Sequence, residues 1–291
     1  METKKKYSVL VLGSDGMAGS MIAKYLDTMG HRVHATQRNG KGDGVYQFDV
    51  VSNISDIDNI IMDARPDFVV NCIGVLNQFA DDNKSDAVLI NAYLPHYLSA
   101  RTRRYGFRLV HMSTDCVFSG EKGSYCESDV PDAQSFYGKT KILGEVLDDK
   151  NTLTFRTSII GPDINANGIG LFHWFMSQNG KIGGFSNVLW SGVTTLEFAK
   201  SVEKSFDMPS ISGLFHLVNN ESISKYNLLL LFKKYSKKNI DISIDDTYTS
   251  DKTLVNTNKQ FDFNLPSYDD MVREMIEWIE LHEDMYNYSN D

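Results

Sequence analysis

The chain has 291 residues, of which 42% are hydrophobic, and it carries a formal net charge of −9 at pH 7. This length suits one large α/β domain or a main domain with a smaller lobe. The acidic balance argues against a nucleic-acid partner, whose phosphates are bound by Lys and Arg, and no apolar run approaches the ~20 residues of a membrane-spanning helix.

The first stretch, METKKKYSVLVLG, leads directly into a strand pattern without the apolar core of a signal peptide. The three cysteines, Cys72, Cys116 and Cys126, have no CxxC spacing, and the seven histidines have no metal-ligand spacing. These features predict a cytoplasmic protein that binds no metal.

Short β-branched runs alternate with amphipathic stretches in the first half of the chain. A strand at YSVLVLG precedes a helix over residues 16–29, and further strands are expected at HRVHATQ, DFVVNCIG, FRLVHMSTD and LTFRTSII. Apolar strands that alternate with helices are typical of a parallel sheet covered on both faces. We therefore predict a Rossmann-type, doubly wound α/β domain over residues 1–160.

Residues 161–291 are expected to form mainly a smaller substrate-binding lobe, with some segments returning to the Rossmann core. The stretch NANGIGLFHWFMSQNGKIGGFSN has the pattern of neither a clean strand nor a long helix, and it suits a mobile wall over a pocket. A strand at GLFHLVN and helices at SKYNLLLLFKKYSKK and YDDMVREMIEWIELHEDMY follow.

A glycine-rich segment, VLVLGSDGMAG, ends the first strand and opens the first helix. Its glycines, Gly13, Gly16 and Gly19, would let the backbone turn tightly and approach a pyrophosphate at the positive end of the helix. Asp15 and Met17 lie in the same loop and are included among the cofactor-binding positions. The alternative is a glycine turn that binds no ligand.

The second strand predicts which dinucleotide is bound. An Asp or Glu at its end would bind the ribose 2′-hydroxyl of NAD, whereas this chain has Gln37 and Arg38 there. A guanidinium can bind a 2′-phosphate through paired hydrogen bonds, so Arg38 favours NADPH, with NADH as the second candidate. Arg38 could otherwise be a solvated surface charge. Asp49 lies near the expected position of the adenine amino group.

Tyr137 and Lys141 are four residues apart in SFYGKTKILGE and would share one face of a helix. A nearby ammonium is expected to lower the pKa of the phenol, which would make Tyr137 a better proton donor to a ketone oxygen. Lys141 could also hold the hydroxyls of the nicotinamide ribose. A surface helix with a half-buried tyrosine is the alternative interpretation of this spacing.

The stretch LVHMSTDCVFSG places Ser113, Thr114 and Asp115 at the carboxyl end of a strand, where doubly wound folds bind ligands. A hydroxyl from Ser113 or Thr114 could bind the substrate carbonyl, and Asp115 is a further substrate candidate. Strand-end Ser and Thr residues also commonly cap the next turn. The adjacent Cys116 is expected to be a packed apolar side chain rather than a nucleophile.

With these motifs in place, the sequence resembles the dTDP-4-dehydrorhamnose reductase family of extended short-chain dehydrogenases/reductases. STDCVFSG followed by YGKTKILGE is the most specific part of the resemblance, which also covers INAYLP, FRTSIIGP and NLPSYDDMVREM. It implies reduction of the 4-keto group of a nucleotide-linked 6-deoxyhexulose with NADPH or NADH. Thr114, Tyr137 and Lys141 match the family's catalytic trio, and Ser113, Tyr137 and Lys141 are also expected near the cofactor. The other cofactor-side positions that match are Gly13, Gly16, Gly19, Arg38, Asp49, Cys72, Ile73, Gly74 and Asn91.

Three departures concern the substrate side. Ile159 stands where the family often has an aromatic residue against the sugar, YTSDKTLVNT replaces a segment with an Arg-Pro pair, and NCIGV replaces a run of small residues. The nucleotide and the sugar are therefore left open. The hypothesis is an NADPH-dependent 4-ketoreductase in polysaccharide precursor synthesis, for which a homodimer is one assembly to consider. Its rivals are an epimerase or dehydratase that retains NAD(P), and a non-catalytic NADP-binding regulatory subunit.

Overall fold

The computed structural model describes residues 5–40, 42–286 and 288. Strands occur in both halves of the chain. In chain order they are β1 (Ser8–Leu12), β2 (Arg32–Gln37), β3 (Val45–Gln47), β4 (Phe68–Asn71), β5 (Arg108–Thr114), β6 (Thr152–Thr157), β7 (Ile159–Ile160), β8 (Gly180–Phe185), β9 (Val188–Trp190), β10 (Val193–Thr194), β11 (Gly213–His216), β12 (Ile223–Ser224), β13 (Ile240–Asp245) and β14 (Ser250–Asp251).

Helical segments connect most of these strands. A π-helical stretch spans Val88–Tyr93, and a short 3-10 turn, Asp115–Val117, follows β5. The α-helices are, in chain order, α1 (Met17–Thr28), α2 (Val50–Asn53), α3 (Asp56–Ala64), α4 (Asn77–Asp82), α5 (Lys84–Ala87), α6 (Leu94–Ser99), α7 (Thr102–Tyr105), α8 (Phe136–Leu143), α9 (Leu171–Ser177), α10 (Thr195–Phe206), α11 (Lys225–Ser236) and α12 (Tyr268–Leu281).

The central sheet has seven strands in the order β11-β6-β5-β4-β1-β2-β3, and all of its neighbouring strands are parallel. The chain builds outward from β1 in one direction through β2 and β3, and then in the other direction from β4 to β6. Its order reverses between β1 and β4, which is where such sheets open a crevice at their carboxyl ends. The prediction of a doubly wound, Rossmann-type sheet is confirmed.

Side chains from both faces of this sheet are buried. On β1, Val9 and Val11 belong to the core beneath α1, α10 and α12, whereas Leu10 and Leu12 belong to the core beneath α3 and α6. Alternating side chains of a strand point to opposite faces, so a strand covered on both faces must be apolar throughout. This packing explains why the strand was recognisable as a continuous hydrophobic run.

The second half of the chain contributes both to the central sheet and to small sheets beside it. The last strand of the central sheet, β11, pairs with β6 at the edge, and α10 packs on α1 of the first half. The small sheets pair β7 with β10, β8 with β13, and β9 with β12 and β14. The strand at GLFHLVN and the two last helices were predicted correctly as β11, α11 and α12.

The stretch NANGIGLFHWFMSQNGKIGGFSN is more regular than its sequence suggested, because it contains α9 and β8. Phe172 and Phe175 are three residues apart on α9, and both are buried in aromatic contact with Phe232 of α11. In β8 the buried positions are Ile182 and Gly184. Tertiary packing therefore orders a segment whose glycines weaken its local preference.

Candidate active site

The glycine-rich loop forms a tight turn directly against the start of α1. Gly13 has φ +79°, in the left-handed region that favours glycine, and its carbonyl O accepts the N–H of Gly16 at 3.1 Å. A Cβ on Gly19 would lie only 2.1 Å from that same carbonyl O. The first turn of the helix therefore packs onto the loop at a distance that only glycine permits.

The amino end of α1 fits a phosphate-sized anion. Gly16 is the N-cap residue, and no side chain caps the helix, so its first N–H groups have no side-chain acceptor. A Cβ on Gly16 would meet only the Gly13 carbonyl O, at 3.5 Å, and would otherwise point into open space. Unpaired N–H groups, the helix dipole and this open space are what binding of a pyrophosphate requires.

Asp15 and Met17 link the loop to the second half of the chain. The carbonyl O of Asp15 accepts a hydrogen bond from Asn165 Nδ2 at 2.9 Å, and its carboxylate accepts the backbone N–H of Arg38 at 3.4 Å. Met17 Sδ lies 3.1 Å from the position of a Cβ on Gly170. The backbone of Asp15 and the side chain of Met17 therefore lie where the glycine-rich loop meets the segment before α9.

Arg38 and Asp49 have different surroundings. Arg38 follows β2 at the carboxyl edge of the sheet, with an exposed side chain. Asp49 is the N-cap of α2, and its carboxylate accepts hydrogen bonds from the Val51 N–H and the Ser52 hydroxyl, each at 3.0 Å. The structure thus gives Asp49 a capping role that the sequence interpretation did not include.

The segment Cys72, Ile73 and Gly74 follows β4 and lies beside the glycine-rich loop. Ile73 Cγ1 is 3.0 Å from the position of a Cβ on Gly13, and the Cys72 N–H donates to the carbonyl O of Leu12. Burial raises the pKa of the Cys72 thiol to about 12. This thiol is therefore neutral at physiological pH and acts as an apolar neighbour of the crevice.

Asn91, expected on the cofactor side, is fully buried and clamps the backbone of Val75. Its Oδ1 accepts the Val75 N–H at 2.9 Å, and its Nδ2 donates to the Val75 carbonyl O at 2.8 Å and to Thr140 Oγ1 at 3.1 Å. Asn91 therefore connects the loop after β4 to helix α8. Its assignment to the cofactor side stays a prediction.

Tyr137 and Thr114 face each other at the carboxyl end of β5. Helix α8, which carries Tyr137, is capped by Ser135, whose Oγ accepts the Gly138 N–H at 3.1 Å. Thr114 Oγ1 donates to Asp115 at 3.1 Å and accepts the Cys116 N–H at 3.1 Å. Burial raises the pKa of the Tyr137 phenol, and hydrogen bonding from Thr114 opposes this rise.

The expectation that Lys141 lowers the pKa of Tyr137 is wrong. Tyr137 is 7% exposed and packs against Ala80 and Ala87, so desolvation of the phenolate outweighs all other influences on its pKa. The Cys116 thiol and the Asp115 carboxylate raise the pKa further. The structure thus keeps the phenol protonated at neutral pH.

Lys141 is 5% exposed, and its Nζ donates to the carbonyl O of Met112 at 2.7 Å. Burial lowers the pKa of its ammonium to about 8, and the neighbouring Glu145 carboxylate opposes this shift. Lys141 is therefore mostly charged at pH 7, although little free energy separates its two protonation states.

Ser113 differs from Thr114 although the two are adjacent. The Ser113 side chain is buried, and its Oγ donates to Glu145 Oε1 at 2.6 Å. Thr114 has the opposite orientation and lies beside Tyr137. The sequence left open which hydroxyl faces a substrate, and this arrangement favours Thr114.

Two charged neighbours of these residues, Glu145 and Arg156, were not singled out in the sequence. Arg156 donates to Glu145 through Nε at 2.8 Å and through Nη2 at 2.5 Å, and both side chains are buried. A signal was present, because Arg156 interrupts the apolar strand LTFRTSII. A charge inside a buried strand requires a buried partner.

The remaining substrate candidates are Asp115 and Ile159. Asp115 is half-buried, and burial raises the pKa of its carboxyl, whereas the Thr114 hydroxyl and the charges of Lys252 and Lys225 oppose the rise. Lys252 belongs to the divergent segment YTSDKTLVNT. Ile159 is half-buried in β7 and packs against the main core.

The described residues contain neither a candidate metal cluster nor a helix that could cross a membrane. Residues 5–40, 42–286 and 288 contain no group of three or more His, Cys, Asp or Glu side chains placed to hold a metal ion. In the same part of the chain, every helix is too short or too polar to cross a membrane.

Comparison with known protein families gives a match over most of the chain. The family model described as the RmlD substrate binding domain matches residues 7–277. The chain belongs to this RmlD family. The resemblance to dTDP-4-dehydrorhamnose reductases, first inferred from the motifs, is thereby confirmed.

Three curated relatives of this RmlD-family chain have different names. Spore coat polysaccharide biosynthesis protein SpsK of Bacillus subtilis is 29% identical over 227 residues, which cover 75% of each chain. The dTDP-4-dehydrorhamnose reductase of Burkholderia thailandensis is 32% identical over 155 residues, covering 52% of this chain and 49% of the relative. Methionine adenosyltransferase 2 subunit beta of Bos taurus is 25% identical, covering 76% of this chain and 69% of the relative.

A solved structure supports the fold of the RmlD-family chain. The dTDP-4-dehydrorhamnose reductase of Bacillus anthracis, in complex with NADP, superposes with a TM-score of 0.78 at 20% identity. The superposition covers 95% of this chain and 100% of that chain. The shared architecture therefore includes the second half as well as the central sheet.

Proposed function

We propose that this protein reduces the 4-keto group of a nucleotide-linked 6-deoxyhexulose with NADPH, in the synthesis of a polysaccharide precursor. The observation that carries the proposal is the buried Tyr137 beside Thr114, with Lys141 one helical turn away, at the carboxyl edge of the sheet. Family membership and a relative named as a dTDP-4-dehydrorhamnose reductase support it.

The residues around the glycine-rich loop suit a dinucleotide. Gly13, Gly16 and Gly19 would hold the pyrophosphate, because the open space at Gly16 and the uncapped end of α1 favour an anion. The exposed Arg38 would bind the 2′-phosphate, which favours NADPH over NADH. NADPH would supply the hydride that reduces the carbonyl carbon.

The three residues at the strand end would then handle the oxygen and its proton. Thr114 would bind the carbonyl oxygen and orient it toward Tyr137. Tyr137 would donate its phenolic proton to that oxygen, and its raised pKa ensures that the proton is present at neutral pH. The ammonium of Lys141 would hold the hydroxyls of the nicotinamide ribose through its N–H donors.

Three further features belong to the same proposal. Residues 161–291 would mainly form the substrate lobe, with Asp115 and Ile159 facing the sugar. Three free cysteines fit a reducing compartment such as the cytoplasm. A homodimer could use the apolar side chains that Val88, Tyr93 and Leu143 expose on neighbouring helical segments, and light scattering of the purified protein tests this.

Loss of NADPH absorbance tests the main proposal. Purified protein is mixed with NADPH and, in turn, with dTDP-, UDP- and GDP-linked 4-keto-6-deoxyhexoses. We expect one substrate to consume NADPH in stoichiometric amounts, which also identifies the nucleotide. An absence of consumption with all three, in protein that binds NADPH, would contradict the proposal.

A non-catalytic role is the second candidate, and one observation favours it. A relative that matches 76% of this chain is named as a subunit of methionine adenosyltransferase. Such a protein could bind NADP and a partner enzyme without turnover. Retention of NADPH binding together with capture of a partner enzyme, but no reduction of any keto sugar, would support this role.

A further inference from the structure

Helix α8 and Glu145, two residues past its end, contact three consecutive residues of β5. Tyr137 faces Thr114, Lys141 donates to the carbonyl O of Met112, and Glu145 accepts the Ser113 hydroxyl at 2.6 Å. The three contacting residues are spaced by four positions. The end of β5 that carries Thr114 is therefore held by one face of α8 and its extension.

Glu145 has further buried partners on the other side. Arg156 of β6 donates to both of its carboxylate oxygens and, through Nη1, contacts His216 Nε2 of β11 at 2.9 Å. His216 continues the network, because its ring Nδ1 contacts the Val255 carbonyl O and its backbone N–H donates to Glu127. The position of Glu145 is thus determined by two neighbouring strands and by a segment of the second half.

We propose that Glu145 is a positioning residue for the reaction: its carboxylate holds Ser113, and with it the strand end at Thr114, and provides the negative charge that keeps the buried Lys141 protonated. The inference rests on the proposed reductase function for its consequence in catalysis. Its electrostatic part concerns only residues of this chain, so it can be tested without any substrate.

The charges around Lys141 determine the sign of the expected effect. Glu145 favours the ammonium, whereas the Cys72 thiol on the loop after β4 would do so only as a thiolate, and burial keeps it neutral at physiological pH. His111 of β5 is buried, and its pKa lies well below the ordinary value, so it adds no positive charge near neutral pH. Glu145 is therefore the main group that opposes the desolvation of Lys141, and its removal must lower the pKa of Lys141 further below about 8.

NMR of protein labelled with 13C at lysine Cε measures this titration directly. The resonance missing from K141R identifies Lys141. We expect E145Q to shift its titration downward by about one pH unit or more, the size expected when one adjacent charge is removed. The matched control is E203Q, which neutralises another buried glutamate, one that pairs with His31, and should leave the titration unchanged.

E145Q leaves Arg156 buried without its ion-pair partner, which can prevent folding. The double variant E145Q/R156Q removes both charges and keeps two side chains that can hydrogen-bond to each other. It should show the same downward shift. An unchanged Lys141 titration in either folded variant would overturn the electrostatic part of the inference.

The pH profile of kcat distinguishes a positioning role of Glu145 from a purely structural one. If Glu145 acts through Lys141, the alkaline limb of the kcat profile for NADPH oxidation should move to lower pH in E145Q, by the same shift that NMR records. A uniform loss of kcat without this movement would show a purely structural role and would overturn the inference. If wild-type protein reduces no keto sugar, the proposed function fails, whereas the NMR result still decides whether Glu145 controls Lys141.

Discussion

Lys141 Nζ donates a hydrogen bond of 2.7 Å to the main-chain carbonyl O of Met112, two residues before Thr114. The ammonium is thus held inside the protein, against the strand whose end carries Thr114, the residue that binds the substrate carbonyl in our proposal. Burial makes this charge costly, as its pKa of about 8 records. Among the described residues, a carbonyl and one nearby carboxylate support this costly buried charge, which is more readily explained by catalysis than by stability.

Replacing Tyr137 by Phe should lower turnover by ~10² or more, because the variant lacks the phenolic proton that general acid catalysis needs. NADPH affinity should change little. The measurement is the rate of NADPH oxidation with the active keto sugar. Tyr93→Phe is the control, because Tyr93 is half exposed and lies outside the site. Near-normal turnover in Tyr137→Phe would refute the role of the phenol.

Replacing Lys141 by Met should abolish most activity and yet stabilise the protein at pH 7. The pKa of Lys141 falls from 10.5 to about 8 on folding, so the unfolded chain binds more protons between these values. Stability should therefore rise with pH over this window in wild-type protein, and this rise should be absent from Lys141→Met. The full rise in the unfolding free energy of the wild-type protein over this window corresponds to at most about 3 kcal/mol.

Urea unfolding at pH 7 and pH 9.5, followed by tryptophan fluorescence, measures both effects. Lys141→Arg is a useful comparison, because it keeps a charge that resists neutralisation and should be less stable than Lys141→Met. A Lys141→Met variant that is several kcal/mol less stable than wild type would show that the bond to Met112 outweighs the cost of burial.

Gly16→Ala should mainly lower the affinity for NADPH, whereas Gly19→Ala should mainly lower the stability of the fold. Alanine at Gly19 would place its Cβ 2.1 Å from the Gly13 carbonyl O, so we expect a loss of ~2 kcal/mol or more in unfolding free energy. Alanine at Gly16 meets only one atom, at 3.5 Å, so its stability should stay within ~1 kcal/mol of wild type while NADPH affinity falls about tenfold or more. Fluorescence titration with NADPH measures this affinity, and unaltered binding in Gly16→Ala would contradict a pyrophosphate site at the glycine-rich loop.

Asn91→Ala should affect the stability of the fold more than it affects cofactor binding. The change removes two hydrogen bonds to the Val75 backbone and one to Thr140, which leaves buried groups unpaired. We expect a loss of ~2–3 kcal/mol in unfolding free energy. Gln78→Ala removes only an exposed bond to Asp82 and should cost at most ~0.5 kcal/mol. Equal stability of the two variants would show that the hydrogen bonds of Asn91 to the Val75 backbone do not stabilise the fold.

Arg38→Asp should raise the KM for NADPH by ~10- to 100-fold and leave the KM for NADH little changed, because only NADPH carries the 2′-phosphate. Steady-state rates with both cofactors measure this preference. The control, Arg32→Asp, places the same change at the amino end of β2, on the opposite edge of the sheet. An unchanged preference in Arg38→Asp would exclude Arg38 from cofactor selection.

Much of the architecture could be predicted because its signals are local. The apolar runs at β1, β4 and β5 and the glycine spacing before α1 reflect burial on both faces and a turn that larger residues cannot form. The stretch containing α9 and β8 was misjudged, since its order depends on Phe172 and Phe175 packing against Phe232, a residue distant in sequence.

For the candidate site, the sequence by itself determined the residue types and their spacing: a phenol and an ammonium four positions apart, and two hydroxyls at a strand end. Only the tertiary structure decided what surrounds each group. Burial raises rather than lowers the pKa of Tyr137, Ser113 faces Glu145 instead of the crevice, and Asn91 clamps a loop. A pKa and a hydrogen-bond partner depend on desolvation and on neighbours brought together from distant parts of the chain, and neither can be read from the spacing of residues along it.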